Sequence, residues 1–508
     1  MPHHADCGLA PRPHSARRRD LLFVGLALTG IILLIHLPYL KLPLFWDEMG
    51  QFVPAALDLW RQGLWVPEST RPNVHPPGLM AVLAAVWTIT GYSIPVTRVV
   101  MLLIASGAAV ATFVLARRLC RGLPGNPALS AVTLLIFSPL FYTQAMLAQL
   151  DLPATLLTVW TLHEFLNERL RRAALLSVAL VLVKETGIAV PLVLATILWR
   201  EHRRRDALWF VAAPAALAAW LGALASSTGH WLGNPEFERY NLFYPLHPVR
   251  LGLAFLRRLF YLFVDQFHFI GWAAILVAVR KTTLYRTREW RIVAAVAAAH
   301  VVVVTVLGGA TLERYLLPVL PLMYTAMAAA WSLDSPSRRR WSELSALAGL
   351  VLSLVWTRPL PTPLENNLAM VRFIRLHQEA AQFLEQRGPT GLIFTAWPLS
   401  EALRSPDFGY VQEGLRVREI RDLSRRTVSS LEIGENEILV LYRLDWNPGP
   451  FYDWFPWLAR LRAKYYGFEG EADGEFACQA LGLRPAARFQ RGGLWLEILE
   501  KPPGFSSR

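Results

Sequence analysis

The chain alternates between apolar and polar sequence in two regimes. From residue 21 to residue 357, apolar runs of about 15 to 22 residues are separated by short polar stretches crowded with Arg, the pattern of successive membrane helices. Runs at 21–40, 94–116, 127–146, 150–166, 207–226, 266–280, 291–309, 315–331 and 341–357 read as spans. Two shorter runs, 173–184 and 186–200, meet at Lys184-Glu185, and 77–91 is apolar but short. Arg17 to Arg19, Arg117/Arg118/Arg121, Arg169/Arg171/Arg172, Arg200 to Arg205, Arg280 to Arg291 and Arg338 to Arg340 fall on one side, which the positive-inside rule makes cytoplasmic. That side also holds the N-terminus. The assignment leaves 77–91 as a partial or interfacial helix. About eleven crossings follow, and a range of 11 to 13 transmembrane helices covers the ambiguous segments.

After Pro359-Leu360-Pro361-Thr362-Pro363 the pattern changes. Residues 368–387 carry the period of an amphipathic helix and stop at Gly388, whereas 391–396, 437–444 and 493–500 read as strands. Residues 452–466 read as an aromatic-rich helix. The expected fold is therefore a polytopic α-helical membrane protein with a small C-terminal extracytoplasmic α/β domain. Its parts are a disordered cytoplasmic N-terminus (1–20), a transmembrane module (21–358) with a first outer loop at 41–78, and the α/β domain (366–508). The first apolar run is not a cleaved signal peptide by pattern, because Pro43 and Trp46 follow it where small residues would mark a cleavage site. Residues 227–265 form a long aromatic outer loop with an amphipathic piece near 249–262.

Composition agrees with the class. Of 508 residues, 54% are hydrophobic and 18% charged, below the roughly 25% of soluble domains. The net charge of +13 sits wholly in residues 1–365, which hold 33 Lys/Arg against 20 Asp/Glu, while 366–508 hold 18 of each. Excess charge confined to the membrane half reads as topology signal and excludes a nucleic-acid surface. Three cysteines (Cys7, Cys120, Cys478) form neither a disulfide framework nor a thiolate metal site, and no HExxH is present.

The chemistry gathers at outer span ends. Phe45–Gly78 opens with Asp47-Glu48 and closes with His75-Pro76-Pro77-Gly78. Charge beside hydrocarbon is costly, so a carboxylate pair there needs a reason. Capping the helix that starts near Met49 needs one carboxylate, not two, and the loop adds Arg71, Asn73 and His75. A carboxylate at an apolar interface has a pKa open to tuning, which suits a general base. Asp151 stands at another span end, where N-capping ahead of Pro153 is the plain alternative. Lys184-Glu185 either neutralise each other at a tip or present Lys184 to a phosphate. Glu313-Arg314-Tyr315 either snorkel or offer a guanidinium fork to phosphate oxygens. His75 could bond a phosphate, ligate a metal or tie the loop. Asp47, Glu48 and Asp151 are the oxygen donors that a divalent cation, if the site uses one, would take.

Together these pieces resemble the GT-C membrane glycosyltransferases, in particular the dolichyl-phosphate-mannose–protein mannosyltransferase and lipid A aminoarabinose transferase group. The matching features are Asp47-Glu48 after the first helix, HPPG at 75–78, LDLP at 150–153, KETG at 184–187 and RYLLPVLP at 314–321, in family order over residues 20–335. No one of them is specific; their order carries the resemblance. It implies inverting transfer of a sugar from a polyprenyl-phosphate donor to an envelope acceptor at the outer face of the cytoplasmic membrane. Asp47 would correspond to the base that deprotonates the acceptor and Glu48 to its partner. Lys184 and Arg314, with His75, Asp151 and Tyr315, would bind substrate. His75 stands where the aminoarabinose branch carries Lys and the mannosyltransferases carry His, so the acceptor is not legible there. No Gly-rich nucleotide loop is seen, and a donor already activated as a phosphate ester requires none. The competing readings are a transporter or flippase for a lipid-linked sugar, expected to show inverted repeats and midplane helix breaks, and a non-catalytic scaffold.

Overall fold

A computed structural model describes residues 14–357, 362–388, 391–443, 451–467 and 470–502. The expected leader lies mostly outside them, as does most of the Pro-rich junction at 359–363. The chain runs as α1 (His14–His36), α2 (Val53–Gln62), α3 (Gly78–Thr90), α4 (Ile94–Leu119), α5 (Pro127–Phe137), α6 (Pro139–Gln144), α7 (Asp151–Leu166), α8 (Leu170–Val183) and α9 (Ala189–Arg200). It continues as α10 (Arg204–Leu208), α11 (Ala212–Thr228), α12 (Pro235–Glu238), α13 (Pro248–Phe263), α14 (Phe269–Lys281), α15 (Arg288–Val306), α16 (Leu320–Trp331) and α17 (Pro336–Val355). Among the described residues, four stretches are long and apolar enough to cross a membrane: Leu21–Tyr39, Ile94–Leu119, Arg204–Thr228 and Arg288–Val306. All four coincide with runs read as spans.

The lengths of the remaining helices matter for the site. At about 1.5 Å per residue, α3 is about 20 Å long, α8 about 21 Å and α9 about 18 Å, short of the roughly 30 Å hydrocarbon layer. The run read as one span at 127–146 is broken at Ser138, whose extended backbone (ψ 124°) precedes Pro139. The proline ring disfavours helical geometry in the residue before it. Lys184 and Asp151 therefore stand on helix ends held inside the bundle. Gly78 lets α3 start against α8, since a Cβ there would run into the Leu182 carbonyl.

The C-terminal part begins with α18 (Ala369–Arg387), which stops at Gly388 in the left-handed region (φ +57°). It lies on a five-stranded sheet of order β2-β1-β3-β5-β4, with β1 (Ile393–Thr395), β2 (Val417–Glu419), β3 (Ile438–Tyr442), β4 (Arg484–Arg491) and β5 (Leu494–Glu500). β1 is parallel to β2 and β3, β3 is antiparallel to β5, and β4–β5 is a hairpin closed by Gly492-Gly493. The three predicted strands are β1, β3 and β5. β2 and β4 escaped notice because β2 is three residues long and β4 is a largely exposed edge with Arg at three of its eight positions and Pro485 at a register shift. The predicted helix at 452–466 is two pieces, Phe451–Trp454 and Pro456–Tyr466, parted ahead of Pro456. The predicted amphipathic piece is α13.

This second part is bound to the first outer loop. The Leu44 amide donates to the Phe408 carbonyl at 3.0 Å, and the Tyr410 hydroxyl donates to the Leu44 carbonyl at 2.9 Å. Arg61 holds Asp407 through two bonds of 3.0 and 3.2 Å, and the Trp46 and Trp397 rings meet edge-on at 4.5 Å. Loop and sheet domain thus share the walls of one cavity.

Candidate active site

The adjacent carboxylates Asp47 and Glu48 point into different environments. Trp46 adopts a left-handed backbone (φ +52°), costly for a bulky residue, and the chain then enters a π-turn over Glu48–Phe52. Glu48 is fully buried, and its side chain does not line the cavity. It pairs with Arg98 of α4, equally buried, and accepts from the Phe45 amide (2.9 Å) and the Ala148 amide (2.7 Å). Arg98 also donates to the carbonyls of Met146 (2.6 Å), Pro43 (3.0 Å) and Leu42 (3.3 Å). The pair is a clamp that fastens the loop carrying Asp47 to the loop leading to Asp151. Glu48, expected as the chemical partner of Asp47, is thus turned from the cavity toward Arg98. Arg98 was visible as a charge inside an apolar run, the usual mark of a functional or structural polar site, but was not singled out.

Asp47 faces the cavity. Its carboxylate caps nothing and instead meets the Arg314 guanidinium. Asp151 likewise makes no capping bond; it meets the Lys184 ammonium and lies 3.6 Å from Arg314. Lys184 therefore pairs with Asp151 rather than with its neighbour Glu185, and it lies 4.5 Å over the Tyr315 ring. Arg314 does not snorkel: it is 3% exposed and touches a third carboxylate, Glu365, at 3.4 Å. Asp47, Asp151, Lys184, Arg314 and Tyr315 thus converge from four separate stretches of chain.

His75 stands slightly apart. Its Nδ1 lies 2.9 Å from Glu185, and its amide donates to Asn73 at 3.0 Å. Burial works against the Glu185 charge, but the His75 imidazole and the Lys184 ammonium hold it well below the usual carboxylate range, at about 2. His75 and Glu185 line the same cavity as the central cluster.

Glu365 was not anticipated. It lies beyond α17 in sequence with no motif around it, and only folding brings it under Arg314. Burial, with Asp47 and Asp151 nearby and against the pull of Arg314, raises its carboxyl to about 7.

The candidate metal ligands do not assemble. Glu48 is in the clamp, and Asp47 and Asp151 are each engaged by a cationic side chain. Among the described residues no three His, Cys, Asp or Glu side chains converge as a ligand set. The fixed positive charge facing these carboxylates comes from Arg314 and Lys184, so this arrangement does not fit a divalent ion.

The cavity measures about 1460 Å³. Its lining includes the apolar Ile188, Leu217, Leu221, Val304 and Leu307, and, from the C-terminal part, Trp397, Glu401, Asp407 and Glu419. Asp47, Asp151, Lys184, Arg314 and Tyr315 line the same cavity.

No protein-family model and no curated protein matches this chain. Solved structures do. The apo crystal structure of ArnT from Cupriavidus metallidurans aligns over 95% of this chain and 98% of its own, at 15% identity and a TM-score of 0.55. The same protein bound to undecaprenyl phosphate aligns over 96% and 98%, at 16% identity and 0.52. The apo oligosaccharyltransferase of Archaeoglobus fulgidus aligns over 82% and 69%, at 12% identity and 0.50. Identities this low speak to fold alone, and with the ArnT structures the likeness runs almost end to end: this chain has the fold of the ArnT crystal structures.

Proposed function

We propose that the protein is an inverting glycosyltransferase that moves a sugar from a polyprenyl-phosphate donor to a hydroxyl-bearing envelope acceptor at the outer face of the cytoplasmic membrane. One observation carries the reading: two carboxylates, a lysine and an arginine from distant stretches converge in a cavity that apolar side chains also line. The polyprenyl chain would lie along Leu217, Leu221, Val304 and Leu307, leaving its phosphate at Lys184 and Arg314. Donor phosphate oxygens then replace the Asp47 carboxylate on Arg314, which frees Asp47 as the base.

Chemistry follows in one displacement. The acceptor oxygen attacks the anomeric carbon as its proton passes to Asp47. The bond from that carbon to the phosphate oxygen breaks, and the electron pair leaves with the phosphate. Arg314 and Lys184 meet the growing negative charge in a site shielded from bulk water, where fixed cations stabilise most. Asp151 holds both cations in register. The acceptor enters along Trp397, a residue of the C-terminal part that lines the cavity beside the first outer loop.

The test is turnover by purified protein with a panel of radiolabelled polyprenyl-phosphate sugars and envelope extract as acceptor. Release of polyprenyl phosphate from one donor, lowered about 10² to 10⁴-fold by Asp47→Asn with donor binding kept, is the expected result. A donor that binds tightly but is never consumed would overturn the reading in favour of transport.

A further inference from the structure

Of the three carboxylates that meet Arg314, Glu365 has the poorest partners. Its Oε2 lies 3.4 Å from Arg314 Nη1 and 3.5 Å from Gln149 Nε2, both beyond the usual 2.7–3.2 Å, and its Oε1 has no hydrogen-bond partner among the described residues. The residue is nonetheless 3% exposed. Asp47 and Asp151, by contrast, each meet a cation closely. The backbone around Glu365 is well held: Thr143 of α6 donates to its carbonyl, and Asn366 donates to Glu313, which Arg257 of α13 also grips.

The charges around it are few. Asp47 comes from the π-turn, Asp151 from the start of α7, and Arg314 from the turn before α16, while Gln149 supplies the neutral contact. Lys184 stands behind Asp151. Two cations balance Asp47 and Asp151, which leaves Glu365 as the surplus negative charge. A donor phosphodiester brings one more. Holding it beside an ionised Asp47 and an ionised Glu365 would put excess negative charge in a buried site, where like charges repel most. The group whose charge is least compensated is the one that gives way.

We propose that Glu365 is a positioning residue for the donor phosphate: it takes up one proton from solvent as the phosphate arrives at Arg314 and Lys184, so donor binding is linked to protonation of this carboxylate. The inference rests on the polyprenyl-phosphate reading above. No bond of the donor changes in this step. A water or buffer proton moves to a Glu365 carboxylate oxygen, and Arg314 loses an ionic partner that competes with the phosphate. A carboxyl already raised to about 7 needs little further shift to accept that proton near neutral pH. Glu365 lies between the last apolar helix and α18, so this charge sits where the two parts of the protein join.

The test uses the full chain in lipid nanodiscs and undecaprenyl methyl phosphate as probe. This phosphodiester carries one negative charge across the whole range, so any proton linkage belongs to the protein. Calorimetry between about pH 5.5 and 8.5, in buffers of different ionisation enthalpy, reads affinity and protons taken up together. Wild type should bind well near pH 6 and weaken above about 7, approaching tenfold per pH unit, with proton uptake rising toward one. Glu365→Gln should bind with little pH dependence and take up no proton above pH 7. A slope that survives Glu365→Gln, or a flat wild-type profile, overturns the proposal. Should Glu365→Gln not fold, the wild-type buffer series still tests it, because proton uptake that stays near zero across the pH range overturns it. A probe that does not bind wild type at any pH sinks the donor reading itself, an outcome distinct from binding without proton linkage.

Discussion

Replacing Arg98 by Met strands the Glu48 carboxylate in a fully buried site. The carboxylate keeps the Phe45 and Ala148 amides but loses its counter-ion, and the carbonyls of Leu42, Pro43 and Met146 lose a shared donor. Breaking a buried pair by removing one partner costs about 3–5 kcal/mol, because the remaining charge is left uncompensated. The expected result for Arg98→Met is a marked loss of thermal stability, read by fluorescence-detected size-exclusion chromatography after heating. Adding Glu48→Gln should restore about 2 kcal/mol of it, since the stranded charge is then gone. Glu48→Gln alone should also destabilise, because the amide nitrogen turns a second donor toward the Phe45 N–H. Turnover per folded molecule of Glu48→Gln should stay within about tenfold of wild type, against the 10² to 10⁴-fold loss expected when a general base is removed. A Glu48→Gln protein with wild-type stability and an Asp47→Asn-like loss of turnover would refute the clamp and return Glu48 to the chemistry.

Two more predictions follow from the same geometry. Lys184→Met leaves Asp151 with the more distant Arg314 alone, so donor KM should rise at least tenfold while acceptor KM is unchanged in steady-state titrations; an effect on the acceptor alone would move Lys184 out of the phosphate site. Gly78→Ala sets a methyl group against the Leu182 carbonyl and should destabilise by about 1–3 kcal/mol through displacement of α3 from α8, read as a lower midpoint of thermal inactivation, and an unchanged midpoint would deny the close approach.

Much of this architecture was legible because it follows from local patterns. Apolar runs marked the long helices, since twenty residues without charge have little alternative to a bilayer or a large core. The stop of α18 at Gly388 was readable because only a residue free of a Cβ enters the left-handed region without strain. β3 and β5 showed as apolar runs, whereas β2 and β4, at the two edges of the sheet, left no period to read. Asp47, Asp151, Lys184, Arg314 and Tyr315 stood out because charges and polar rings at the ends of apolar runs are expensive and so call for a partner.

What the one-dimensional reading could not decide was which partner each group meets. The Asp47-Glu48 pair looks like one unit in sequence, yet the left-handed Trp46 and the π-turn send one carboxylate to the cavity and the other to Arg98, fifty positions away. Lys184-Glu185 looks self-neutralising, yet each side chain crosses to a different loop. Glu365 has no local signature at all. The sequence by itself determined the class of the protein, its helices and the residue types able to handle a phosphate and a proton, because these depend on neighbours along the chain. Only the tertiary structure decided the division between clamp and site, the gathering of three carboxylates on one arginine and the shared wall of the cavity, because Coulomb and hydrogen-bond energies depend on distance in space, and the chain order does not encode that distance.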